Sequence, residues 1–589
     1  MYTILENARI VIALLKKHNI RHIVISPGGS NIPIAQGVQQ DPFFKCYSVV
    51  DERSAMYFAI GLHLQTGEII ATSCTSAQAT RNYVPGLTEA FYKRVPILAI
   101  TMSKHPRHWG QDYMQCPIQH SLPVDSVKKS FTLPRINDDN DREQCVRMAN
   151  EAILELTHNG NGPVQLDIQE LDSETWVFDE NVSLPDVRKI SRYCYYDDIK
   201  ANNLKGKKVM IVIGEHRPFN DSEKDAIESF CETHNVFVYT DMTSNYYGKY
   251  SINANAFLSF CSDALFVEKF MPDVVISLGG LTGDYALYFK LSKAAAGAYE
   301  HWRINLDGSV IDTYSHLTRV YQMTTEDFFS RMTADTISDH TYYAIWKEAY
   351  EKISFDHVDK MPLSNLYAAI KLSTMIPDNS VMNFAILNSF RSWCYVKNNP
   401  TVHSYCNLAA FGIDGCTSMF LGESVETEQL SFLITGDLAF FYDLNALGIR
   451  HLKNNVRILL CNNNGGMEFK FGSLYQKTDV SSYIAADNHF RNSEGWAKTN
   501  GFEYIQVNTK EEFVNASKRF VAPSEKPILL EIITNPENER EASSIHTAIN
   551  MQYSESEKHN LKVKGFVKNA ISPILGEGGL RIIRKVIKH

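Results

Sequence analysis

Short apolar runs separated by stretches with helical spacing recur along most of the chain. In the first 175 residues they are HIVIS beginning at His22, CYSVV (46–50), EIIATS (68–73), VPILAIT (95–101) and PVQLDI (163–168). Unbroken runs of this length predict strands buried on both faces, and the helical stretches between them are the crossovers that a parallel sheet requires. The opening segment MYTILENARIVIALLKKHNI carries Glu6 and Arg9 inside its apolar pattern, which predicts an amphipathic helix and not a secretory leader. A polar stretch, DSETWVFDENVSLPDVRK (172–189), interrupts the rhythm and marks a boundary. A second block follows with KVMIVIG (208–214), VFVYTD (236–241), DVVISLGG (273–280) and RINLD (303–307). The polar, helical segment 335–362 reads as a linker. A third block begins near Leu363 with SVMNFAI (380–386), TVHSYC (401–406), LSFLITGD (430–437), NVRILLCNNN (455–464), YIQV (504–507) and PILLEII (527–533). The pattern predicts an α/β protein of three doubly wound parallel-sheet domains, at 1–180, 190–335 and 360–545, followed by a tail at 558–589. The similar rhythm of the first and third blocks permits a shared topology.

Composition narrows the class. A chain of 589 residues is too long for one core, and 44% hydrophobic with 21% charged residues places it among ordinary globular proteins. The net charge of −9 argues against a nucleic-acid partner held by general phosphate attraction. No apolar run reaches the roughly 18 residues needed to span a bilayer. Eleven cysteines without a CxxC pair suit a reducing compartment, and a cytoplasmic location is expected. The tail from Lys558 carries eight Lys or Arg against one Glu, which reads as a surface helix or as weak contact with an anionic membrane.

Candidate chemistry gathers in the third block. There LSFLITGD ends in Gly436 and Asp437, a helical pattern LAFFYDLNALGIRHLK follows, and the next strand runs into three asparagines and Gly465. A carboxylate at one strand end and amide oxygens at the next supply the hard oxygen ligands that Mg²⁺ prefers. A helix start at the same place suits a diphosphate bridged by that metal. Alone, Asp437 would cap a helix and the asparagines would turn the chain; the specificity lies in the combined spacing.

This spacing resembles the thiamin diphosphate fingerprint of the pyruvate-decarboxylase and acetolactate-synthase superfamily, whose usual third residue, glycine, is Leu438 here. With FGIDG (411–415), SPGGSNIPI (26–34), DERSAMYFAIG (51–61) and NYVPGLTEA (82–90), the chain is most similar to the menaquinone-pathway synthases of 2-succinyl-5-enolpyruvyl-6-hydroxy-3-cyclohexene-1-carboxylate (MenD), from residue 1 to about 540. The resemblance implies thiamin diphosphate and Mg²⁺ as cofactors and the domain order pyrimidine-binding, middle, diphosphate-binding. It implies Asp437, Asn463 and the Gly465 carbonyl as metal ligands and Ile413 as the apolar wedge that bends the cofactor. Ser389, Leu438 and Phe469 are implied as further cofactor contacts. Glu52 matches the glutamate that bonds the aminopyrimidine ring. A carboxyl in an apolar pocket has a raised pKa and can share its proton with that ring. Gln115 matches a glutamine near the thiazolium. In this family the counterparts of Glu52 and Asp437 come from different subunits, so a homodimer or dimer of dimers is implied.

The resemblance breaks at the acceptor side. The family's SPGSR arginine is Ser30, and the arginine before GASGIDG is Leu408. A middle-domain basic pair aligns with Asp284 and Tyr285, and the ADRP arginine with Lys104. The arginine after NS aligns with Trp393, with Arg391 two residues earlier. Each lost charge-assisted contact costs roughly 1.5–3 kcal/mol. The implied activity is a decarboxylating carboligase that moves the acyl unit of a 2-oxo acid to a small-molecule acceptor less anionic than isochorismate. Its pocket residues would be Ser30, Lys104, Asp284, Arg391 and Leu408. Alternatives are an authentic synthase using 2-oxoglutarate and isochorismate, a simple 2-oxo acid decarboxylase, and a non-catalytic protein of the same fold. A nicotinamide-dependent dehydrogenase is disfavoured because no strand is followed by GxGxxG. His105, His108, His120 and His403 lie near pocket segments and read as structural.

Overall fold

The computed structural model describes residues 1–169, 176–199, 204–397, 399–471 and 483–558. The expected basic tail therefore lies outside the described residues, apart from Lys558. The chain forms two compact units, one of Met1–Tyr195 with Leu306–Gln322, the other of Tyr196–Asn305 with the chain from Met323 on.

In the first unit, strands β1 (His22–Ile25), β2 (Lys45–Ser48), β3 (Ile70–Ser73), β4 (Ile97–Ser103), β5 (Ser130–Leu133) and β6 (Val164–Gln169) form one parallel sheet in the order β2-β1-β3-β4-β6-β5. Five of them coincide with the apolar runs. β5 was not legible because it is a short edge strand in which buried Phe131 and Leu133 alternate with half-exposed Ser130 and Thr132. Helix α1 (Glu6–Lys17) forms where the pattern predicts it, but Ile10 to Leu15 are all buried, so it is covered on more than one stripe.

The second unit holds two sheets. The strands β7 (Val209–Ile213), β8 (Val236–Thr240), β9 (Ser251–Asn253), β10 (Val274–Leu278) and β11 (Glu300–Ile304) pair in parallel in the order β9-β8-β7-β10-β11. The run RINLD is strand only up to Ile304, and the chain from Leu306 to Gln322 belongs to the first unit. The other sheet comprises β12 (Val381–Phe384), β13 (His403–Cys406), β14 (Ser431–Gly436), β15 (Val456–Asn462), β16 (Glu503–Val507) and β17 (Ile528–Ile533), in the order β13-β12-β14-β15-β17-β16. Counted within each sheet, this order and that of the first unit are the same, so the similar strand rhythm does reflect a shared topology.

The two sheets of the second unit are joined by polar clamps. Asn245 donates to the Ser404 carbonyl at 2.9 Å and accepts from the Ser404 amide at 2.8 Å, satisfying backbone groups of edge strand β13. Asn253 donates to the carbonyl of Cys394 at 3.1 Å. The segment read as a linker is helical over α3 (Thr341–Glu351), but it is also packed. Trp346 is fully buried and stacks on Phe237 with ring centroids 4.2 Å apart, and the Tyr342 hydroxyl donates to the Phe270 carbonyl at 2.6 Å. Replacing Trp346 with Ala leaves a large cavity and is expected to remove about 3–5 kcal/mol of stability. Denaturant unfolding checks this; a loss under about 1 kcal/mol would show that the helix is a linker after all.

Candidate active site

In an open parallel sheet the strand ends that face ligands are the carboxyl ends. β14 and β15 are neighbours with Gly436 opposite Cys461, so Asp437 and the Asn462–Asn463 pair emerge side by side. Asp437 opens helix α5 (Asp437–Tyr442) and is 2% exposed. One carboxylate oxygen accepts from its neighbour's amide, Leu438 N–H, at 2.7 Å; the other accepts from Gly465 N–H at 3.0 Å and lies 3.2 Å from His489 Nε2. Among the described residues no lysine or arginine pairs with it. The predicted helix LAFFYDLNALGIRHLK is broken after Tyr442 into a 3₁₀ turn at Leu444–Gly448, because the Asp443 carboxylate turns aside to accept from Ser418 N–H and hydroxyl at 2.6 and 2.8 Å.

Asn463 is 5% exposed and its side-chain oxygen is buried without a hydrogen-bond partner. A buried amide oxygen left unpaired beside a buried carboxylate with no lysine or arginine partner is a donor set suited to a hard cation. The chain stays thin there. A Cβ on Gly465 would overlap Asp487 Oδ1, and one on Gly436 would come no nearer than 3.8 Å to Ser389 Oγ. Among the described residues, no group of three His, Cys, Asp or Glu side chains is placed to hold a metal, so a cation here would take an Asp, Asn and carbonyl set.

The loop from Asn463 to Gly466 is pinned by a segment that sequence reasoning missed. Asn488 N–H donates to the Asn464 carbonyl at 3.0 Å, Phe490 N–H to Asn464 Oδ1 at 2.8 Å, and Asn462 Nδ2 to the Arg491 carbonyl at 2.8 Å. Lys470 pairs with Asp487. His489, in the middle of this segment, is the one that reaches Asp437. These contacts are tertiary, more than twenty residues from the motif, and leave no local pattern.

Ser389 is 3% exposed near the start of helix α4 (Asn388–Cys394). Ile413 packs on buried Ala385, Cys416 and Ala439. Leu438, the second residue of α5, and Phe469, in the short helix Glu468–Phe471, are half-buried. Leu408 is 1% exposed within the hydrophobic core of its sheet, so it is a core residue in place of a pocket cation. Asp284 and Arg391 are brought together, with Asp284 Oδ1 accepting from Arg391 Nε at 3.3 Å. The same guanidinium also donates to both oxygens of Glu468, at 2.8 and 3.3 Å. Burial alone would lower the pKa of Arg391, but the carboxylates of Asp284 and Glu468 outweigh it and raise the pKa. Asp284 is thus a paired acid, and Arg391 is a cation whose charge is already met.

In the first unit Asp51, not Glu52, caps helix α2 (Glu52–Thr66), accepting from Arg53 N–H at 2.9 Å and Ser54 N–H at 3.4 Å. The half-buried Glu52 carboxylate accepts only from Asn82 Nδ2, at 3.3 Å, among the described residues. Ser30 is buried in the 3₁₀ turn Gly29–Asn31 after β1, and Lys104 is half-buried just after β4. Gln115 is exposed with φ +54°, whereas Gln119 is the buried amide, bonded to Met102 O at 2.7 Å, Asp167 at 3.0 Å and Ala77 N–H at 2.8 Å. Of the histidines, His108 stacks on Tyr113 and His120 on Trp109, while His403 is exposed on β13.

Comparison with known proteins gives this geometry a lineage. Residues 6–122 match the family model described as thiamine pyrophosphate enzyme, N-terminal TPP binding domain. The 2-succinyl-5-enolpyruvyl-6-hydroxy-3-cyclohexene-1-carboxylate synthase of Phocaeicola vulgatus is 32% identical over 555 residues, covering 92% of this chain and 97% of the relative. The synthase of the same name from Bacteroides thetaiotaomicron is 32% identical over 556 residues, covering 91% and 97%. That of Flavobacterium johnsoniae is 26% identical over 547 residues, again covering 91% and 97%. A likeness that runs the length of both chains, through a first unit matched by the thiamine pyrophosphate domain, makes the chain a member of the 2-succinyl-5-enolpyruvyl-6-hydroxy-3-cyclohexene-1-carboxylate synthase family of thiamin-diphosphate-dependent enzymes.

Proposed function

We propose that the protein is a Mg²⁺-assisted decarboxylating carboligase that joins the acyl unit of a 2-oxo acid to an acceptor less anionic than isochorismate. The observation that carries this reading is the Asp284–Arg391–Glu468 network, in which two carboxylates surround Arg391 near the expected acceptor side. A guanidinium already bonded to both oxygens of Glu468 has little left for a substrate carboxylate. The short side chain of Ser30 and the core position of Leu408 point the same way.

Asp437, Asn463 and the Gly465 carbonyl would hold the cation, with Ser389, Leu438, Ile413 and Phe469 beside the cofactor. Thiamin diphosphate, when bound, supplies the electron sink that decarboxylation of a 2-oxo acid needs. Glu52 would exchange a proton with the aminopyrimidine nitrogen, a role open to it because Asp51 performs the capping. Gln115 would orient the substrate near the thiazolium. Lys104 remains a candidate for the donor carboxylate.

We also propose a homodimer or a dimer of dimers. Val50, Tyr57 and Phe58, which flank Glu52, are 73%, 47% and 43% exposed, a cluster that a second copy would cover. A cytoplasmic location fits eleven cysteines that are all free thiols. Among the described residues no helix is long and apolar enough to cross a membrane.

Glu52→Gln is expected to keep thiamin diphosphate affinity and lose at least about a hundredfold in turnover, as general acid–base contributions run to roughly 10²–10⁴. Exchange of the cofactor C2 hydrogen, followed by NMR, reads this step; exchange at the unmodified rate would remove Glu52 from the role. The names of the relatives favour a second reading, that the chain makes the product they are named for. Condensation of 2-oxoglutarate with isochorismate, run beside the B. thetaiotaomicron synthase, decides between them. Loss of two charge-assisted contacts, about 3–6 kcal/mol, predicts an efficiency at least about a hundredfold lower. Equal efficiency would establish the second reading.

A further inference from the structure

In the sheet that carries Asp437, β17 lies between β15 and β16, with Glu531 opposite Leu460 on one side and Gln506 on the other. Side chains two residues apart on a strand share a face, so Asn462, Glu531 and Tyr504 point the same way. Glu531 is fully buried, and among the described residues no lysine or arginine pairs with it. One of its carboxylate oxygens accepts from Asn462 Nδ2 at 2.7 Å. The other accepts from Ser493 N–H at 3.0 Å, the Ser493 hydroxyl at 2.6 Å and the Tyr504 hydroxyl at 2.9 Å. Burial, and then the carboxylate itself, raises the Tyr504 pKa, so that hydroxyl stays a donor. These donors fill the roughly four lone-pair sites of an ionised carboxylate, so Glu531 acts on other side chains and not on a substrate.

What it acts on is the loop of asparagines. Asn462 has its whole amide committed: Nδ2 donates to Glu531 and to the Arg491 carbonyl at 2.8 Å, and Oδ1 accepts from Asn464 N–H at 3.2 Å. Asn464 Oδ1 accepts from Phe490 N–H at 2.8 Å. Of the three side-chain oxygens, only that of Asn463 is buried without a partner among the described residues. A second line runs from the same carboxylate toward Asp437. Glu531 holds Ser493, Asn462 holds Arg491, and Arg491 N–H donates to His489 Nδ1 at 3.0 Å. An imidazole nitrogen that accepts leaves the proton on the other one, so Nε2 is the nitrogen that donates to Asp437 at 3.2 Å.

We propose that Glu531 is a positioning residue for the metal site. By holding Asn462 on one oxygen and Ser493 on the other, it fixes the asparagine loop and the His489 segment together, so that Asn463 Oδ1 and the Asp437 carboxylate are presented to one cation. The inference rests on the reading of Asp437, Asn463 and the Gly465 carbonyl as ligands. Glutamine keeps the shape of this side chain but turns one oxygen into an N–H₂ donor. With its oxygen toward Ser493 and Tyr504, the new donor meets Asn462 Nδ2, donor against donor. Asn462 can relieve this only by turning its own oxygen inward, which gives up both the Arg491 carbonyl and Asn464 N–H. The loop then loses the bonds on either side of Asn463.

The test is Mn²⁺ binding to the full chain with thiamin diphosphate, read from the loss of the free-ion paramagnetic resonance signal, with a thermal melt of each sample. Glu531→Gln is expected to weaken Mn²⁺ at least about tenfold in protein that is still folded, as loss of an outer partner of a metal ligand does. Asn462→Ala removes the same link while leaving Glu531 in place; it should weaken Mn²⁺ likewise, and carries the prediction if the glutamine variant does not fold. Tyr504→Phe takes a donor from the far side of the same carboxylate and is expected to lower the melting temperature with Mn²⁺ affinity unchanged. A merely structural hub would lower the melting temperature in all three and leave the affinity of folded protein alone. Unchanged affinity in folded Glu531→Gln or Asn462→Ala, or an equal loss in Tyr504→Phe, would overturn the positioning role while the unmodified chain still binds the ion. An unmodified chain that binds no Mn²⁺ would instead strike the ligand reading, and this inference with it.

Discussion

A buried carboxylate with no lysine or arginine partner among the described residues organises the third sheet. Asp437 sits at the junction of two central strands, 2% exposed, held by two backbone N–H groups and a histidine nitrogen. Burying a charge costs several kcal/mol unless it is compensated, so a position of this kind persists where compensation is supplied. The neighbouring Asn463 oxygen, buried and unpaired, faces the same requirement from the acceptor side. One divalent cation, as proposed, would satisfy both. The clamp from Asp487 to Arg491 fits that proposal, since it holds the Asn462–Asn464 loop in one conformation, as a metal-ligand loop would need.

The electrostatics across the second unit are divided. Around Asp437, among the described residues, the protein leaves a buried carboxylate with no lysine or arginine partner, whereas around Arg391 it surrounds a cation with carboxylates. The first arrangement would suit the proposed metal and, through it, a diphosphate. On the proposed reading the second would remove a handle for anionic substrates, because a bidentate Glu468 occupies the geometry a substrate carboxylate would need. Family membership sets the cofactor chemistry, and this redistribution of charge separates the proposed acceptor from the one in the relatives' names.

Much of this was legible in the chain because buried parallel strands carry their signal locally. The runs before Asp437 and Asn463 could be read as adjacent strand ends, and the register of Gly436 opposite Cys461 shows why the spacing was informative. Edge strands β5 and β9 were missed, since an edge needs neither length nor continuous apolar character. The helix after Asp437 was read too long because Asp443 is recruited by Ser418, a partner 25 residues away. Asp284 was read only as the replacement of a family cation, and its pairing was not legible, because its partner Arg391 is 107 residues away and only the folded second unit brings them together. His489 reaches Asp437 across 52 residues and has no local signature.

Electron paramagnetic resonance with Mn²⁺ in place of Mg²⁺ tests the Asp437 centre most directly. In the presence of thiamin diphosphate the bound Mn²⁺ signal should show ³¹P hyperfine coupling from a coordinated diphosphate, and both signal and coupling should vanish in Asp437→Ala. A spectrum of free aqueous Mn²⁺ while thiamin diphosphate is bound, or a coupling that survives Asp437→Ala, would contradict the assignment.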